Sequence, residues 1–166
     1  MLLGVLTLGI YFLYYAWRVP HEVARQEGVR HPLPAAFLVA LVARLGYGLT
    51  RVFDSPAWAQ WSLLGLGVAF IAAYWWASVA LLERGRERTG LGRAMPPALF
   101  VSWYLFGELF YVLSEELHLA ARVLFAVVVV VPLYFLLNES VNGYWRAQGR
   151  RAAAAEQGGE PVASPT

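Results

Sequence analysis

Residues 57–82 read AWAQWSLLGLGVAFIAAYWWASVALL, 26 positions without a charged side chain. As a helix rising about 1.5 Å per residue, this run is longer than the roughly 30 Å hydrocarbon layer of a bilayer, so a helix built on it tilts or projects. Trp58 and Trp61 at one end and Trp75 and Trp76 toward the other suit the membrane interfaces, because an indole joins an apolar body to a polar tip.

The flanks repeat the pattern. Upstream, Asp54, Ser55 and Pro56 form a tight turn, and residues 33–53 are apolar apart from Arg44 and Arg51. Residues 18–32 are polar, and residues 1–17 carry no charge. A secretory signal would place a basic residue before that run and small residues after it; this run has no basic residue before it and ends in Tyr14, Tyr15 and Trp17, so it is read as a retained first span. Downstream of residue 82, a hydrophilic loop carries Arg84, Arg86, Arg88 and Arg93 and closes at Pro96 and Pro97, the latter suited to a first helical turn. Residues 97–114 are apolar except Glu108, and after a short polar break residues 119–137 contain only Arg122. Val127 to Val131 would favour a strand in water, but a lone strand in lipid leaves its backbone unpaired, so helix is expected there, with a kink at Pro132. The tail 149–166 is expected to be disordered, being rich in Ala, Gly, Glu, Pro and Ser with nothing to build a core.

Composition agrees. Of 166 residues, 59% are hydrophobic and only 14% charged, too apolar for a soluble domain. The absence of cysteine excludes disulfides, thiolate metal sites and thiol nucleophiles. A net charge of +2 does not point to nucleic acid, because the arginines lie in short segments between apolar runs. They set topology instead. Arg18, Arg25 and Arg30, the four arginines of residues 84–93, and Arg146, Arg150 and Arg151 all fall on one side of a five-span chain, against Arg51 and Arg122 on the other. The expected architecture is therefore an all-α integral membrane protein of five transmembrane helices, N-terminus outside and C-terminus cytoplasmic.

Arg44 is the most informative residue, because an arginine near the bilayer centre needs compensation. Counting from residues 33 and 97, Arg44 and Glu108 each lie eleven positions into parallel spans, and Arg51 and Glu115 each lie seven further on. The two pairs fall two turns apart on the same helix faces. An ion pair fixing helix register and a polar pathway both fit this pattern. Gly65, Ala69, Ala73 and Ala77 form a small-residue stripe in the third span, suited to packing within the chain or to association with another subunit. Glu115 and His118 have the E-x-x-H spacing of di-iron bundles, but a single such motif in a turn is too little for a metal centre. His21 and His31, read as loop residues, have no ligand spacing, and no Ser-His-Asp set or phosphate loop can be assembled. Neither cofactor nor metal is expected.

Thr7-Leu8-Gly9-Ile10-Tyr11, continuing to Tyr14, Tyr15 and Trp17, resembles the opening helix of bacterial small membrane proteins of a DUF4234-like family. Leu133-Tyr134-Phe135 through Asn142-Gly143-Tyr144-Trp145 resembles the end of that family's last span. The resemblance covers about 40 residues and leaves out spans two to four. It implies a bacterial inner-membrane protein and no particular activity. The expected function is that of a non-enzymatic accessory subunit of a membrane assembly, its partners being the lipid bilayer and other membrane subunits or further copies of itself. The alternative is a small transporter or channel built around Arg44 and Glu108.

Overall fold

Charge ends an apolar run without ending a helix, because Arg and Glu are good helix formers. In a computed structural model, which describes residues 2–92, 95–113 and 119–157, five helices follow one another: α1 (Leu2–Gln26), α2 (Pro34–Val52), α3 (Ala57–Arg88), α4 (Pro97–Leu113) and α5 (Leu119–Gln157). No strand occurs among the described residues. α2 and α4 coincide closely with apolar runs, whereas α1, α3 and α5 continue into charged sequence. Disorder expected from residue 149 is corrected over 149–157, where the alanines and arginines extend α5.

Three helix ends use one device. After α1, α2 and α3 a residue with positive φ reverses the chain: Gly28 (67°), Asp54 (50°) and Gly90 (76°). Each is bracketed by the paired bonds of a Schellman ending, such as Val29 N–H to the Ala24 carbonyl (2.9 Å) and Gly28 N–H to that of Arg25 (3.1 Å). These bonds satisfy carbonyls that the last turn would leave open.

α3 is the hub, packing against α1, α2, α4 and α5, while α4 also meets α5. α2 lies against it through buried Ala36, Phe37, Ala40 and Ala43, and small residues allow the close approach. One core cluster joins Ala16 of α1, Phe37 of α2, Tyr74, Trp75 and Val79 of α3, and Phe100 of α4. A second joins Val23 and Ala24 of α1, Leu81 and Leu82 of α3, and Val141 and Tyr144 of α5.

Large hydrophobic side chains also face outward. On α2, Leu38, Val42, Leu45, Leu49 and Val52 recur at alternating four- and three-residue steps, and all are more than half exposed. Leu99, Trp103 and Phe106 follow the same steps on α4 and are also exposed, as are Val127, Val128, Val131 and Phe135 on α5. Among the described residues, α2 and α3 are long and apolar enough to cross a membrane.

Candidate functional site

Arg44 and Glu108 come from helices that are not principal neighbours, and their meeting depends on α3 between them. The Arg44 stem runs over Gly67: a Cβ there would stand 3.3 Å from Arg44 Cγ and 3.4 Å from Cδ. The missing side chain opens a passage across α3, through which the guanidinium reaches the Glu108 carboxylate in a direct ion pair. Tyr104, one turn before Glu108 on α4, donates its hydroxyl to the other carboxylate oxygen at 2.5 Å. The carboxylate is thus held on both oxygens, with side-chain exposures of 27% for Arg44 and 19% for Glu108. Arg44 and Tyr104 also border a cleft of about 180 Å³ whose other walls are Ala16, Phe37, Ala40, Leu41, Ile71 and Trp75, all hydrocarbon or aromatic.

The other sequence-derived residues fare differently. The Arg51 guanidinium lies 6.0 Å from the centre of the Tyr47 ring one turn before it. Glu115, its expected partner, and His118 lie outside the described residues. Along the small-residue stripe, Ala77 is buried and Ala73 half-buried, while Gly65 and Ala69 are exposed, and no atom stands within 4 Å of a Cβ built at Gly65. The close approach to α2 is made instead by Gly67, on a different face of α3. Among the described residues no group of three or more His, Asp or Glu side chains could hold a metal ion.

Two clusters were not anticipated. His21 lies inside α1, not in a loop, and its ring stacks on that of His31, with centroids 5.1 Å apart. His21 Nδ1 lies 2.7 Å from the Trp17 carbonyl; a carbonyl only accepts, so this nitrogen carries a proton. His31 is 5% exposed. Its Nδ1 accepts from Leu33 N–H (3.3 Å), which assigns the proton of the neutral ring to Nε2, donating to Ser78 Oγ at 3.0 Å. Ser78 then donates to the Tyr74 carbonyl (2.7 Å), and the Tyr74 hydroxyl to the Ala16 carbonyl (2.9 Å). The chain of bonds ties α1, the first loop and α3 together. The sequence hint was slight: a Tyr and a Ser four residues apart in an otherwise apolar run.

Burial, and secondarily the neighbouring His21, lower the His31 pKa from 6.5 to about 4. A protonated ring would also leave the Leu33 amide without its acceptor. Between those two pH values the unfolded chain binds the proton that the folded chain refuses, so stability is fully present above pH 6.5 and drains away as pH falls toward 4. Thermal unfolding of the detergent-solubilised protein should show a midpoint falling across this window. His31→Gln should flatten that part of the profile, and an unchanged slope in the variant would place its origin elsewhere.

The second cluster sits where the cores of α1, α3 and α5 converge. Glu27 accepts from the Tyr144 hydroxyl on one oxygen (2.8 Å) and from Arg88 on the other (3.0 Å), and Gln148 donates to the same hydroxyl (3.1 Å). Beside it, Arg86 donates to the carbonyls of Ser140 (3.0 Å) and Gly92 (3.2 Å), and buried Glu83 receives the Met95 amide (3.3 Å). These arginines pin the ends of helices.

No family model, curated protein or solved structure matches this chain.

Proposed function

We propose that this chain is an integral membrane protein with five transmembrane helices, N-terminus outside and C-terminus in the cytoplasm of a bacterial inner membrane, and that it serves as a non-enzymatic accessory subunit of a membrane assembly. The observation that carries the reading is the exposure of large hydrophobic side chains in continuous helical stripes, above all Leu38, Val42, Leu45, Leu49 and Val52 on α2. Water would penalise such a surface at roughly 25 cal/mol per Å², and lipid would not. The ten-to-two division of arginines supports the orientation. For the subunit role the support is the uncovered outer half of the α3 stripe, where Gly65 and Ala69 leave room for a further helix. Kinship with the DUF4234-like proteins, proposed from the two ends of the chain, agrees with this setting, but the reading stands without it.

Because the chain has no cysteine, single-cysteine variants give an unambiguous test. Ala69→Cys in native membranes should give a crosslinked species of defined mass, either to a second copy or to a partner, whereas Val42→Cys should not. A protein that yields only monomer from Ala69→Cys, and that purifies alone in mild detergent, is not a subunit.

The transporter reading has one observation in its favour: Arg44 and Tyr104 stand on the wall of an open cleft. Against it, the remaining walls are apolar and the two charges already satisfy each other. Reconstituted protein that moves protons or anions across vesicles, and loses that activity in Glu108→Gln, would reverse the preference.

A further inference from the structure

The loop after α1 and the basic end of α3 share a groove. Gly28 turns the chain back, and Val29, Arg30 and Pro32 come to lie along α3. Facing them, Ala77, Leu81, Arg84 and Arg88 follow one another at four, three and four residues, which places them on one face of that helix. The groove between encloses about 340 Å³. Its chemistry changes along its length, from Trp76, Ala77, Ala80 and Leu81 to Arg84 and Arg88, with Arg30 across from them.

The groove contains one carboxylate, Glu27, already engaged by Tyr144 and Arg88. Arg30 and Arg84 are exposed and make no ion pair or hydrogen bond among the described residues. Two arginines are thus available to an anion, and a third is half-neutralised. Next to them is an apolar trough with a half-exposed indole on its wall.

We propose that this groove binds an anionic phospholipid, its phosphate held by Arg30, Arg84 and Arg88 and an acyl chain laid along Ala77, Ala80 and Leu81. A free phosphate would satisfy the arginines and leave the trough empty; a lipid satisfies both halves at once. The inference rests on the membrane reading above, which places this end of α3 at the cytoplasmic leaflet, where anionic lipids face basic loops.

The test is native mass spectrometry of the full chain in mild detergent, titrated with phosphatidylglycerol, phosphatidylcholine or inorganic phosphate. Saturable binding of one phosphatidylglycerol, about tenfold or more tighter than phosphatidylcholine, is expected, with Arg30→Gln/Arg84→Gln weakening it about thirtyfold as two surface arginines are lost. Arg150→Gln, an exposed arginine on α5, should leave binding unchanged. Ala80→Phe fills the trough with every arginine intact, and should weaken phosphatidylglycerol binding severalfold. Equal affinity for the two lipids, no loss in the double variant, or inorganic phosphate competing as well as the lipid would overturn the assignment. A carbonate wash of cell membranes separates the two levels of the reading. If the chain stays in the washed membrane but shows no lipid preference, the groove assignment alone fails; if the wash releases it, both fall.

Discussion

Tyr144→Ala is expected to lower stability by about 3–5 kcal/mol, the range for removing a large aromatic from a packed core. Tyr144 is fully buried where α1, α3 and α5 converge, and it carries two separate loads. Its ring lies against Gly85, where an added Cβ would stand 2.8 Å from Tyr144 Cε2 and 3.1 Å from Glu27 Oε1. Its hydroxyl donates to Glu27, and burial together with that bond raises its pKa to about 12, so it remains a donor at any physiological pH. Truncation therefore opens a cavity and also strips one oxygen of Glu27 of its partner. Tyr144→Phe keeps the ring and should lose only the hydrogen bond, about 1–2 kcal/mol. Denaturant unfolding in mixed micelles, followed by far-ultraviolet circular dichroism, would measure both. A Tyr144→Ala protein within 1 kcal/mol of the parent would mean that the three helices are not held together at this point.

That junction lies beyond the reach of sequence reading, and the reason is physical. Glu27 and Tyr144 are 117 residues apart, and each sits in a segment where charge or aromatic content already had an explanation in topology or the interface. Helix boundaries are legible where an apolar run begins and ends at charge or a turn, a one-dimensional rule. The rule locates α2 and α4 to within a residue or two, and sets Arg44 and Glu108 equally far along their apolar runs by counting alone. It is silent about how far a helix continues past the end of its apolar run, where Arg18, Arg84 and Arg150 all lie in helix, and about rotation around the helix axis. Rotation decides whether Gly65 or Gly67 faces α2, a difference of two residues and about 200°. Spacing alone favoured the stripe from Gly65 to Ala77, yet the close approach falls at Gly67 because the Arg44 stem must pass there. His21 and His31 show the same limit: no periodicity links them, and their stacking follows from the turn at Gly28.

Glu108→Leu should be among the most damaging single substitutions in the chain, whereas Arg44→Met/Glu108→Leu should restore most of what it loses. The single change leaves the Arg44 guanidinium without its carboxylate, in a helix whose outer face is Leu38, Val42, Leu45 and Leu49. In the proposed membrane setting an unpaired arginine at mid-bilayer costs roughly 2.5–3.5 kcal/mol on insertion scales, and breaking a buried pair from one side costs about 3–5 kcal/mol in soluble proteins. Removing both charges takes away the attraction and the desolvation penalty together, so the double variant should lie within about 1–2 kcal/mol of the parent or above it. Met at position 44 keeps an unbranched stem able to pass over Gly67, so the path across α3 stays filled. The readouts are abundance in the membrane fraction and thermal aggregation in detergent, measured for both singles and the double as a cycle. Recovery of folding in the double variant also separates the two roles open to this pair. If assembly with partners is retained once both charges are gone, the pair fixes helix register and nothing more. If the double variant is stable but an ion or proton flux of the parent is lost, the charges serve a pathway.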